Sequence, residues 1–117
     1  MNYKVVCLKN HFLQVVNTYP YLVDLLYEKQ NNSFETHQIE LLFEPIGQGK
    51  EKLLNYIQQR EDYSYFHGIH ELNNIVTGEK IKIIMNEYDI DVDENNQNYV
   101  IFDVMKSFSQ NFYMIKA

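Results

Sequence analysis

Residues 78–117 constrain the fold most, because they carry the clearest strand and helix patterns in the chain. In residues 79–93 apolar side chains alternate with charged ones, which is the period of strands with one buried face, and a tight turn is expected near Asn86. Apolar residues recur at helical spacing over 99–108, and 111–116 is again typical of a strand. A helix packed across a sheet buries these faces, so the pattern predicts an α+β fold.

The first two thirds of the sequence indicate one strand followed by helices. In chain order the predicted elements are a strand at 3–8 and helices at 10–16, 21–29, 35–43 and 50–60. Segment 35–43 also fits an extended conformation, although we favour the helix, and the aromatic stretch 62–70 has no settled pattern. We find no internal repeat and no linker that would divide the chain.

We therefore predict that residues 1–117 form a single small α+β domain. Its mixed sheet would have about three to four strands, formed by the N-terminal strand, the 79–93 hairpin and the C-terminal strand, with about four helices packed against it. A length of 117 residues with 45% apolar residues is enough to build one core without disulfides or metal.

The charge balance bears on the class of partner. Ten basic residues stand against sixteen acidic ones, for a net charge of −6, whereas affinity for phosphate backbones comes from lysine and arginine. We therefore expect a protein partner rather than direct contact with nucleic acid. No stretch reaches the roughly 20 apolar residues of a membrane span, so no membrane contact is expected.

Catalysis would need a reactive group, and the one thiol of the chain is Cys7, with His11 four residues later. A cysteine on an apolar strand is expected to be a buried, unactivated core residue, and no other side chains combine catalytic roles. We predict that the protein is not an enzyme. The lone cysteine and the absence of a basic region followed by an apolar run at the N-terminus predict a cytoplasmic protein.

Two sequence patterns suggest metal ligands, and both are incomplete. His67 and His70 are three residues apart, but no third ligand follows at a suitable spacing. Alternating aspartates in residues 89–93 resemble the start of a calcium loop, but Glu94 stands where glycine is needed and Val100 where a bidentate glutamate belongs. We therefore predict neither a metal nor a cofactor.

The hairpin also carries an acidic patch, which consists of Glu87, Asp89, Asp91 and Asp93. No basic residue occurs between Lys82 and Lys106 to neutralise it. Acidic side chains on a strand commonly keep an exposed edge from pairing with other chains. The alternative function is an acidic inhibitor, for example phage-encoded, that mimics DNA and occupies a nucleic-acid-binding protein.

Several short pieces keep an order and approximate spacing that resemble a known family. They are YKVVCLKNHF at 3–12, LVDLL at 22–26, QIELLFEPI at 38–46, DY at 62–63, YDIDV at 88–92, IFDVMK at 101–106 and FYMI at 112–115. Through them the chain resembles the SirA family, the sporulation inhibitors of replication. The resemblance implies a small cytoplasmic α/β protein, not an enzyme, that binds the N-terminal domain of the replication initiator DnaA and blocks its assembly at the origin.

The resemblance also implies which residues make the contact. Phe12 matches an aromatic anchor on the first helix, and Gln38 matches a polar contact. Val16 and Leu41 stand where the family tends to carry tyrosine, so two aromatic contacts are lost. The predicted contact patch on a monomer is thus Phe12, Val16, Gln38 and Leu41, with Phe12 in solvent. Periodicity alone fits Phe12 equally well as a core residue.

Overall fold

The computed structural model describes residues 2–22, 42–96 and 98–116. Most of the helices predicted at 21–29 and 35–43 lies outside these ranges. In chain order the elements are β1 (Asn2–Leu8), α1 (Asn10–Thr18), β2 (Phe43–Glu44), α2 (Gln48–Gln58), β3 (Tyr63–Phe66), β4 (Ile69–Asn74), β5 (Glu79–Met85), β6 (Asp89–Glu94), α3 (Val100–Phe108) and β7 (Phe112–Lys116).

The sheet is larger than the sequence predicted and is not mixed. Its seven strands run in the order β2-β1-β6-β5-β4-β3, with β7 also paired to β1, and every pair is antiparallel. The prediction of a mixed sheet of about three to four strands with about four helices is therefore wrong. The described ranges contain three helices, and the unsettled stretch 62–70 contributes β3 and the start of β4.

A two-residue turn joins β3 to β4, two strands that were not among the predicted elements. His67 and Gly68 both have positive φ angles, of 48° and 81°. This conformation matches the twist of the two strands it connects, and glycine adopts it without strain. The pairing begins directly at the turn, with Phe66 opposite Ile69.

Strand β1 is an interior strand, because it pairs with β6 along Asn2–Val6 and with β7 along Tyr3–Cys7. Its side chains alternate between two separate buried clusters on opposite sides of the sheet. One cluster lies under α2 and α3, and the other lies under α1. The apolar run that includes Val5 and Val6 is therefore explained by coverage of both faces.

A glycine lets α2 approach the core closely. A Cβ atom on Gly49 would lie 2.6 Å from the Cζ atom of Phe112 and 3.2 Å from side-chain atoms of Ile46 and Met105. Because real carbon atoms do not approach at 2.6 Å, only glycine fits there without rearrangement. Gly49 thus fixes how near the first turn of α2 lies to β7 and α3.

A buried carboxylate holds the start of α3. Glu94 accepts hydrogen bonds from the backbone N–H groups of Val100 (2.9 Å) and Ile101 (3.3 Å), and from the hydroxyl of Tyr3. The N–H of Phe102 donates to the same Tyr3 hydroxyl at 3.1 Å. Burial and the Glu94 carboxylate hold the pKa of Tyr3 well above its usual range. This network satisfies helix N–H groups that would otherwise lack partners, so its role is structural.

Candidate protein-binding surface

The predicted aromatic anchor lies inside the protein. Phe12 is only 4% exposed and Val16 is fully buried, and both belong to the cluster between α1 and the sheet. The ring of Phe12 packs edge-to-face against Phe43, with centroids 5.6 Å apart. The expectation that Phe12 reaches solvent is therefore wrong. Gln38 and Leu41, the other two residues of the predicted patch, lie outside the described residues.

Apolar side chains face solvent at the C-terminal end of α1, at Val15 on the helix and at Tyr19 and Tyr21 just beyond its last residue, Thr18. Val15 is 44% exposed, Tyr19 is 51% exposed and Tyr21 is 63% exposed. The rings of Tyr19 and Tyr21 contact each other edge-to-face at 6.3 Å, and the N–H of Tyr19 donates to the carbonyl of Val15 at 2.8 Å. We call these three residues the outer α1 surface. Phe12 and Val16 anchor α1 to the sheet, and the hydrogen bond from Tyr19 to Val15 ties the first of the two tyrosines to that helix.

Two further pairs of exposed apolar residues lie on the far side of the sheet, near opposite ends of β4. On β3, Tyr65 and Phe66 are exposed, and on the turn between β4 and β5, Ile75 and Val76 are almost completely exposed. The side chain of Asn74 accepts hydrogen bonds from the N–H groups of Val76 and Thr77, which orders this turn. The two ends of the molecule thus both offer apolar contact area.

The acidic patch is less negative in the structure than in the sequence. Glu87 is exposed in the turn, but Asp89 is buried. The Nζ atom of Lys4 lies 3.7 Å from Asp89 and 3.5 Å from Asp91, because β1 pairs directly with β6. Asn86 also donates hydrogen bonds to both aspartates, at 2.7 and 3.0 Å.

The last aspartate of the patch also stands opposite a lysine. In the register between β5 and β6, Asp93 is paired with Lys82. Lysines from both neighbouring strands thus offset the charge of the β6 aspartates. Four uncompensated carboxylates, which a mimic of a phosphate backbone would need, are not present on this hairpin.

The candidate nucleophile and base lie on different sides of the sheet. Cys7 belongs to the cluster under α2 and α3, whereas His11 is exposed on α1, which packs on the opposite face. Burial, with a smaller contribution from Glu44, raises the pKa of the Cys7 thiol to about 11. The thiol is therefore protonated near neutral pH, and His11 is not placed to remove its proton.

The two histidines of the β3–β4 hairpin lie in different surroundings. His67 forms the exposed turn, whereas His70 lies between Tyr63 and Tyr65, and its Nδ1 shares a hydrogen bond of 2.8 Å with the Tyr63 hydroxyl. Burial lowers the pKa of His70. Across residues 2–22, 42–96 and 98–116, no three histidine, cysteine or acidic side chains are grouped as metal ligands would be.

Within those same ranges, no helix has both the length and the apolar character that crossing a membrane requires. The candidate contact surfaces are therefore two: the outer α1 surface, next to a helix that packs on the sheet, and the aromatic strand β3 at the far end of the sheet. Neither protein-family models nor curated proteins give a match to this sequence.

Proposed function

We propose that this chain is a non-enzymatic, cytoplasmic inhibitor of replication initiation that binds the N-terminal domain of DnaA. The family resemblance suggests the partner, and the outer α1 surface is the single structural observation that carries the proposal. By covering the initiator surface, the protein would block assembly of DnaA at the origin. The contact residues differ from those first predicted, since Phe12 and Val16 support the helix from beneath.

The composition of the outer α1 surface suits a protein contact. Tyrosine side chains dominate binding energy at many interfaces because they bury a large area with few rotatable bonds. The rings of Tyr19 and Tyr21 are already in mutual contact just beyond α1, so this aromatic pair does not have to form on binding. Exposed Gln14 and His11 on the same helix provide polar groups beside the apolar ones.

Calorimetry with the purified N-terminal domain of DnaA tests this proposal directly. We expect Tyr19→Ala to weaken binding at least about tenfold, because it removes a central aromatic contact. Tyr56→Ala is the matched control, since Tyr56 is an exposed tyrosine on α2. Absence of heat with the wild-type chain at roughly tens of micromolar would exclude this partner.

The salt dependence of binding separates the proposal from the acidic-mimic alternative. An apolar contact changes little as ionic strength rises, whereas a mimic of nucleic acid loses affinity steeply. The pairing of Lys4 with Asp89 and Asp91 favours the first behaviour. A steep loss of affinity, together with no effect of Tyr19→Ala, would instead support the mimic.

Thiol labelling tests the non-enzymatic part of the proposal. Burial raises the pKa of the Cys7 thiol and shields it from solvent. We therefore expect Cys7 to react with a thiol reagent at pH 8 only after denaturation. Rapid labelling of the folded protein would show an accessible thiolate and reopen the question of catalysis.

A further inference from the structure

Strand β3 ends the sheet within the described residues, and the alternation of its hydrogen bonds defines its outer edge. The N–H of Asn73 on β4 donates to the carbonyl of Asp62 at 3.1 Å. In an antiparallel pair every second residue bonds to the same neighbour, so Ser64 and Phe66 also direct their backbone groups toward β4. The backbone N–H and carbonyl of Tyr65 therefore point toward the outer edge.

Among the described residues, this edge carries none of the sequence features that usually prevent strand pairing. The sequence of β3, Tyr-Ser-Tyr-Phe, contains no proline, no lysine and no other charged residue. Its side chains Tyr65 and Phe66 are largely exposed, and aromatic residues favour strand pairing. On the opposite side of the sheet the outer strand is β7, which pairs with β1 and ends in Lys116, a charge of the kind that discourages edge pairing.

We propose that a second copy of this chain pairs with β3, so that the two sheets join in an antiparallel dimer about a two-fold axis at Tyr65. Such an axis, perpendicular to the sheet, keeps the two faces of each copy aligned with those of its partner. Tyr65 then lies opposite its own symmetry mate and exchanges two backbone hydrogen bonds with it. Ser64 lies opposite Phe66 of the second copy, and Tyr63 lies opposite His67.

Charge distribution favours a second copy in this register, although the chain carries a net charge of −6. The nearest acid, Asp62, lies opposite Gly68 of the second copy rather than opposite another acid. Asp62 is already paired with Arg60, whose side-chain nitrogens lie 2.7 and 2.9 Å from its carboxylate oxygens. Like charges are therefore not brought together across the new strand pair.

The size of the contact sets its strength. A four-residue strand pair buries less than the roughly 800 Å² per partner of a standard specific interface. The dimer is accordingly weak, and the chain is a monomer when dilute. At the high concentrations of a solution experiment the dimer becomes populated.

Disulfide trapping tests both the dimer and its register. Opposed residues of a hydrogen-bonded pair have Cα atoms about 5.5 Å apart, which a disulfide can bridge. We expect Tyr65→Cys to give a covalent dimer under mild oxidation. Ser64→Cys is the matched control, because its symmetry mate lies on the diagonal, roughly 7–8 Å away. The native Cys7 is buried and does not compete. Equal trapping of the two variants, or trapping of neither, would overturn the proposal.

Sedimentation equilibrium gives an independent measurement. Tyr65→Pro removes the edge N–H donor of each copy without removing a bond to β4, and we expect it to weaken dimerisation at least about tenfold. Tyr65→Val keeps the donor and the strand preference, so it should dimerise much as the wild type does. A wild-type chain that stays monomeric up to about millimolar concentration, or a proline variant that dimerises equally well, would refute the model of edge pairing.

Discussion

The two ends of the sheet differ in how their strands are covered. At the β1 end, helices pack on both faces, and the two buried clusters lie on either side of one strand. At the β3 end, Tyr65 and Phe66 remain exposed, and side chains on β3 are at most partly buried. The covered end therefore contains most of the core and most of the stability, whereas the exposed end offers a strand edge and aromatic surface that contribute little to it.

The largest predicted effect comes from deleting one phenylalanine side chain at each end. Phe43→Ala should lower the free energy of unfolding by about 3–5 kcal/mol, because Phe43 is fully buried against Phe12. Phe66→Ala should change it by less than about 0.5 kcal/mol, since Phe66 is 74% exposed. Urea unfolding of both variants measures the two changes in free energy, and similar losses would contradict the difference between the two ends of the sheet.

A smaller effect is expected from neutralising an acid at each end. Glu94→Gln should destabilise the protein by about 2 kcal/mol, because an amide cannot replace a carboxylate that accepts bonds from Tyr3 and from the N-terminus of α3. Glu71→Gln is the control, since Glu71 forms only a partly exposed ion pair with Lys80 at 3.6 Å. A tolerated Glu94→Gln would mean that the buried network contributes little.

Next in size is the addition of a single methyl group at Gly49. The clash with Phe112 should destabilise the protein by about 1–3 kcal/mol, which outweighs the roughly 1 kcal/mol by which alanine favours a helix over glycine. Asn55→Ala, at an exposed position on α2, isolates the helix-propensity contribution and should be neutral or slightly stabilising. Thermal unfolding of both variants compares them, and a stabilised Gly49→Ala would disprove the close contact.

The smallest effect concerns the ion pair between Arg60 and Asp62, just before β3, and it depends on pH. The two hydrogen bonds from Arg60 hold the pKa of Asp62 below its usual value. The unfolded value is about 3.9, so the stabilisation is present above roughly pH 4 and is lost as pH falls through the lower folded value. Asp62→Asn should therefore cost less than about 1 kcal/mol at pH 7, since the pair remains partly in water, and progressively less as pH falls through the folded pKa. Glu61→Gln, one residue away, provides the control for charge alone.

The elements with strong periodicity were predicted correctly from the sequence. Strand β1, helix α2, the β5–β6 hairpin, α3 and β7 all lie within a few residues of their expected positions. In each, apolar side chains repeat with the period of the element. For a strand, alternation of apolar and polar residues indicates one covered face, and a continuous apolar run indicates two. Local sequence is therefore sufficient where one element buries one clear face.

Two features were missed because the signal was weak or was given another meaning. His67 is a candidate metal ligand by its spacing from His70, although a residue followed by glycine between an aromatic run and a second possible strand also indicates a tight hairpin. Phe12 was ambiguous because α1 is apolar on two sides, with Val16 facing the sheet and Val15 facing solvent. Periodicity does not decide which side of such a helix is buried.

The charge on the hairpin could not be judged from neighbouring residues in the sequence. Lys4 is 85 positions or more from the aspartates it contacts, and only the pairing of β1 with β6 brings them together. A run of acids without nearby lysines is therefore not evidence of an uncompensated surface. The register of distant strands has to be known first.

The position of β1 has a consequence for synthesis of the chain. This strand is synthesised before its partners β2, β6 and β7, and most of its pairing is with the last two strands. At about 5–20 residues per second, its apolar residues wait on the order of 5–20 seconds for those strands to leave the ribosome. During translation a chaperone that shields short apolar segments would therefore find its best target in the Val-Val-Cys-Leu run.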